Sequence, residues 1–230
     1  MNWTARSAGL FYLLLVISGI FALIYVPSKL IVWEDAALTT ENIRQSVLLY
    51  KWGVIGEMIC YLMFILLVFQ LHRLFAPVHK FQANLMAVFV LVSIPISFLN
   101  LANNFAVMTL VGEADYVRSL GEPMIQSHVM LFSKIHESGV LVAQVFWGLW
   151  LFPFGYLVYK SGFLPRILGV LLMVGCFTYL IEFFGAFFFA GYYDTLFSNL
   201  VGIPAFLGEI GICLWLLIAG VRKTAVAANT

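Results

Sequence analysis

The stretch from His128 to Gly169 limits what this chain can become. It sets His136 and Glu137 at the head of a long apolar run and closes on the basic turn Lys160-Ser-Gly-Phe-Leu-Pro-Arg166. A run of more than about 18 mostly apolar residues reads as a membrane-spanning helix. An ionisable pair inside such a run is costly, so the rest of the chain must supply partners or a wet pocket.

Composition points the same way. Hydrophobic residues make up 63% of the sequence and charged residues 10%, against about 45–50% and about 25% in an ordinary soluble domain. A soluble core of this length could not hide so much apolar surface, so lipid must be the solvent. The expected fold class is all-α, an integral membrane bundle of six transmembrane helices forming one domain over residues 1–230. A net charge of +1 gives no reason to expect nucleic acid as a partner. Cys60, Cys176 and Cys213 all fall inside apolar runs, which argues against a disulfide framework. The first run ends in VPSK without a small-residue cleavage pattern, so it reads as a retained span and not a signal peptide.

The six expected spans are Ala8–Val26, Gly53–Leu71, Leu85–Val111, Val129–Tyr159, Ile167–Ala190 and Leu200–Gly220. Arg6, Arg73, Lys80, Lys160, Arg166, Arg222 and Lys223 gather on one side, with no acid beside them. The acidic loop residues, Glu34, Asp35, Glu41, Glu113, Asp115, Glu122 and Asp194, gather on the other. The positive-inside rule then puts both termini in the cytoplasm. In the outer loop from Pro27 to Lys51, Ile43, Val47 and Leu48 fall at helical spacing, predicting a short interfacial helix or an extension of the second span. Pro95 and Pro153 should bend their helices. Gly162 is placed to end the fourth span and Pro165 to begin the fifth. The tail from about 224 has nothing to bury. A weak internal echo pairs Arg6-x-x-Gly9 with Arg166-x-x-Gly169, and Gly56-Glu57 with Gly208-Glu209.

Four acids lie within spans: Glu57, Glu137, Glu182 and Glu209. At about 1.5 Å of rise per residue, Glu57 and Glu182 sit roughly 24 Å from the basic rim and Glu209 roughly 20 Å. Asn100, Asn103, Asn104, His136 and Glu137 fall in the same outer layer, while the inner half has almost no polar residue. One ionised Glu in hydrocarbon costs at least a few kcal/mol. These groups are therefore expected to face a common hollow, sharing protons or meeting His136, Lys134 and the Asn amides. Carboxylates crowded in low dielectric titrate as a coupled set, which suits proton transfer. A divalent metal held by His136, Glu57, Glu182 and Glu209 is compatible with the residue types. Val140 stands where the second His of HExxH would be, so the zinc-protease pattern is absent. The plainer reading is that the same residues fasten helices by interhelical hydrogen bonds.

Arg6-Ser-Ala-Gly-Leu-Phe-Tyr-Leu-Leu, the turn SGFLPRILGVLL, the YLIE segment Tyr179–Glu182 and GEIGICLWLL resemble the bacterial multi-pass membrane family called domain of unknown function 4386. The resemblance runs from about Arg6 to Val221, and the turn is its most specific part. It implies an HxxG setting met by His136 and Gly139, and acids met by Glu57, Glu182 and Glu209, with Tyr179 beside the second of them. It further implies a bacterial inner membrane and supplies no reaction. Glu stands at 57 and 182 where the family often has Asp.

Three functions accommodate these residues. The first is an enzyme or binder for a small lipophilic ligand, with Glu57, His136, Glu182 and Glu209 as acid–base groups and Asn100, Asn103, Asn104, Glu137 and Tyr179 as ligand contacts. The second is a proton-coupled carrier. The third is an accessory subunit whose acids only join helices.

Overall fold

The computed structural model describes residues 2–112 and 114–221. Glu113, Arg222 and Lys223, used in the charge argument above, and the tail from 224 lie outside the described residues. The described chain is helical, and no strand occurs in it. In order come α1 (Asn2–Gly19), a π-helical segment (Ile20–Tyr25), α2 (Val26–Leu30), α3 (Ala36–Gln45), α4 (Val47–Phe75), α5 (Lys80–Leu110), α6 (Asp115–Arg118), α7 (Glu122–Leu149) and α8 (Leu151–Ser161). Then follow α9 (Arg166–Phe188), a 3₁₀ turn (Tyr192–Asp194), α10 (Leu196–Val201) and α11 (Ile203–Ile218). Six helical stretches are long and apolar enough to cross a membrane: Asn2–Leu30, Val47–Phe75, Lys80–Leu110, Glu122–Ser161, Arg166–Phe188 and Leu196–Ile218.

These six coincide with the expected spans but most run several residues longer. Apolar runs mark only the lipid-immersed part of a helix, whereas the backbone ladder continues into the interface. The outer-loop reading resolves into both of its alternatives. α3 is a separate short helix with Ile43 fully buried, and α4 begins at Val47, nearly two turns ahead of the expected start at Gly53. Pro153 coincides with a break at Trp150 between α7 and α8, while α5 continues through Pro95. Gly162 caps α8 with φ +70°, and Pro165 stands immediately before α9.

The described chain divides into two compact units. One comprises the described residues within Met1–Leu14, Met63–Ile94 and Leu141–Thr230. Its core is aromatic: Trp150 stacks on Phe154 with ring centroids 5.0 Å apart and receives the edge of Phe64 at 5.1 Å. Phe75 adds edge and stacked contacts to Phe154 and Phe163. Small residues bring helix backbones together here. A Cβ at Gly155 would strike the Gly169 carbonyl, so α8 and α9 touch backbone to backbone, as close packing in lipid favours.

The other unit comprises Leu15–Leu62 and Pro95–Val140. Its first helix changes winding before Pro27. Proline withholds an N–H and crowds the carbonyl four residues back, and the preceding Ile20–Tyr25 segment takes the wider π form, with Val26 N–H bonding Phe21 O. Gly53 and Gly56 on α4 face Val26 and the Phe21–Ala22 edge, where a Cβ would press at 2.9 and 3.2 Å. α3 is fastened by Asp35, which accepts from Leu38 N at 2.8 Å, and by Thr39, whose hydroxyl bonds both Val32 N and Val32 O. Arg44 then clamps Glu122 at the head of α7 through two bonds of 2.6 and 3.1 Å.

Candidate functional site

The second unit carries the most connected polar group in the described chain. α4 presents Tyr50, Glu57 and Tyr61 along one face, because spacings of seven and four residues return to the same side of a helix. Glu57 is 2% exposed. Its Oε1 accepts a hydrogen bond from Tyr61 Oη and lies 3.0 Å from His136 Nε2 on α7. Its Oε2 accepts from Asn104 Nδ2 on α5 at 3.0 Å, and Asn104 Oδ1 in turn accepts from Tyr50 Oη at 2.9 Å. A buried carboxylate without partners would be prohibitive; this one has three on two oxygens.

Asn100 lies one turn before Asn104. Its Nδ2 donates to His136 O at 2.8 Å, and Asn103 Nδ2 donates to Asn100 Oδ1 at 3.0 Å. Gly139 is what lets Asn100 in, since any Cβ there would occupy the carboxamide's place. The His-x-x-Gly spacing thus has a local cause: one turn of α7 offers the imidazole and a bare backbone together.

His136 and Glu137 are neighbours in sequence but point to different partners. Glu137 pairs with Lys134 Nζ at 3.0 Å, both about half exposed. Lys134 also stands 3.8 Å over the Trp33 ring. Glu57, His136, Glu137, Asn104 and Tyr50 all line one cavity of about 240 Å³, the share of roughly eight liquid waters. Its remaining wall is mostly apolar, supplied by the π-helical segment, α2 and Trp33.

Glu209 has a different setting, in the first unit. Its Oε2 accepts from Tyr12 Oη at 2.9 Å and its Oε1 from Tyr179 Oη at 3.0 Å. Glu182, also in that unit, is half-buried with its carboxylate against Gly202, where a Cβ would come within 3.0 Å of Oε1. Of the four residues expected to hold a metal together, Glu57 and His136 meet in one unit, whereas Glu182 and Glu209 belong to the other, Glu209 bonded to two tyrosines. Among the described residues no three His, Cys, Asp or Glu side chains are placed to hold an ion.

Sequence reasoning passed over three tyrosines. Tyr50 and Tyr61 could have been found, since they share the helical face of Glu57. Tyr12 could not, because nothing local ties it to an acid 197 residues away.

What the pair at Glu57 can do follows from its atoms. An ionised carboxylate only accepts hydrogen bonds, so a neutral His136 facing it donates from Nε2. Nδ1 is then the basic nitrogen. An imidazole oriented by a carboxylate in this way is suited to taking and returning a proton.

The family described as Domain of unknown function (DUF4386) matches residues 7–220. An uncharacterised protein of Archaeoglobus fulgidus is 34% identical over 102 residues, which cover 42% of this chain and 58% of that protein. The chain therefore matches little more than half the length of this relative. No solved structure matches.

Proposed function

Since the chain belongs to the family DUF4386, whose description assigns no reaction, we propose a function from the site alone: the cavity beside Glu57 binds a small, largely apolar molecule, and the Glu57–His136 pair exchanges a proton with its polar group. The observation that carries this reading is that Glu57 and His136, 3.0 Å apart, both line the same 240 Å³ cavity. Apolar walls with a few convergent polar groups are the usual make-up of a small-molecule site. With the basic rim inside, the cavity lies toward the outer leaflet of a cytoplasmic membrane, where a lipophilic molecule arrives from the bilayer.

The test compares solvent extracts of the protein purified from its own membranes with extracts of Val140→Trp, which places a large ring in the cavity. A small molecule present in roughly molar ratio in the first and absent from the second supports the proposal. Identical extracts contradict it.

A further inference from the structure

We infer that the molecule held in this cavity is an amphipathic amine, its ammonium paired with Glu57 and its entry lined by Trp33 and Glu137. The inference rests on the reading above that the cavity binds a ligand, and it adds the ligand's class.

Charge is the first argument. Glu57 is buried, and the partners that bond its oxygens are two neutral donors and an imidazole. The cavity lining holds a second carboxylate, Glu137, and no lysine or arginine among the described residues. An anionic head would meet the buried Glu57 carboxylate, where low dielectric magnifies repulsion. An ammonium would supply the positive partner that the two neutral donors at Glu57 do not.

The second argument is independent of Glu57. The chain already displays an ammonium at the cavity's edge: Lys134 Nζ lies 3.8 Å from the Trp33 ring centroid and 3.0 Å from Glu137 Oε2. An aromatic face and a carboxylate closing on one ammonium form a recognised cation site. Here a tethered amine fills it, although Lys134 itself is not part of the lining. An incoming amine would displace Lys134 from Trp33 and Glu137, then pass to the buried carboxylate with its apolar body against the π-helical segment. Asp35 and Thr39 fix the loop that carries Trp33, so the ring is held in position before any ligand arrives.

Three probes with the same six-carbon tail separate the classes: hexylamine, 1-hexanol and hexanoate. Each is titrated at neutral pH, where the amine is protonated, into the full-length protein in detergent, with thermal unfolding as readout. Hexylamine is expected to raise the midpoint by about 2–4 °C near saturation, and the other two are not. Lys134→Ala, which removes the competing ammonium, should shift the hexylamine titration to lower concentration. Trp33→Leu should shift it at least about threefold higher, and both substitutions lie at positions that are not buried. Equal stabilisation by hexanol or hexanoate overturns the amine assignment while leaving the cavity's binding role intact. No response to hexylamine, in a protein whose extract does contain a molecule lost in Val140→Trp, overturns the assignment alone. Lys134→Ala leaving the hexylamine titration unmoved overturns the entry site.

Discussion

Glu57 Oε1 and His136 Nε2 stand 3.0 Å apart although 79 residues separate them in the chain. The contact is possible because α4 and α7 each offer a side chain whose surroundings are already arranged. Tyr61 and Asn104 fix the carboxylate, and Asn100 ties down the turn of α7 that bears the imidazole.

The first prediction concerns stability. Glu57→Ala strips a partner from Tyr61, His136 and Asn104 at once and should destabilise the protein by about 3 kcal/mol or more. Glu137→Ala breaks only a half-exposed pair with Lys134 and should cost less than about 1 kcal/mol. Reversible unfolding of both variants in the same detergent checks the difference. Equal losses would mean that burial does not distinguish the two acids.

Gly139→Ala is expected to behave unlike an ordinary helix substitution. Alanine normally improves a helix by roughly 0.5–1 kcal/mol over glycine. Here its Cβ would occupy the Asn100 carboxamide, so the variant should lose about 1–3 kcal/mol. In the double variant Gly139→Ala/Asn100→Ala, the penalty for Gly139→Ala should largely vanish. Additive losses would show that the two residues are not in contact.

Six helices were legible in the sequence because spanning lipid requires long apolar runs, and nothing else in the chain imitates them. The breaks were legible where glycine or proline marks them, as at Gly162 and Pro153. The π-helical turn before Pro27 was not anticipated, although the proline that accounts for it was visible. The polar residues were readable as exceptional, but their partners were less so. Spacing along α4 contained Tyr50 and Tyr61, yet tyrosine in an apolar run passes for packing until a carboxylate is found beside it. The grouping of acids was beyond reach: depth along a helix says which residues share a layer and leaves open which face each turns to. Gly56-Glu57 and Gly208-Glu209 do share more than a dipeptide. In both, the glycine admits a neighbouring helix and the glutamate accepts from tyrosine, one hydroxyl at Glu57 and two at Glu209.

Glu209 should tolerate the loss of one tyrosine better than of two. Tyr12→Phe and Tyr179→Phe each remove one hydrogen bond to a partly buried carboxylate, about 1–3 kcal/mol if it is charged. Because both act on one group, the double variant should depart from additivity by at least about 0.5 kcal/mol. Strict additivity in unfolding experiments would show that the two hydroxyls do not share Glu209.

Arg44 and Glu122 form a two-bond ion pair at the surface, and it should nevertheless contribute little. Arg44→Ala is expected to lower stability by less than about 1 kcal/mol, with the difference shrinking as salt rises. A larger, salt-insensitive loss would indicate that α3 depends on this clamp.

The account stands on His136 directing Nε2 at Glu57. The most direct measurement is the ¹⁵N spectrum of His136 in the bilayer-embedded protein at a pH where its ring is neutral. The hydrogen should sit on Nε2 in the wild type, and that preference should weaken in Glu57→Ala. A neutral ring protonated on Nδ1, with a spectrum indifferent to Glu57, would contradict the pair.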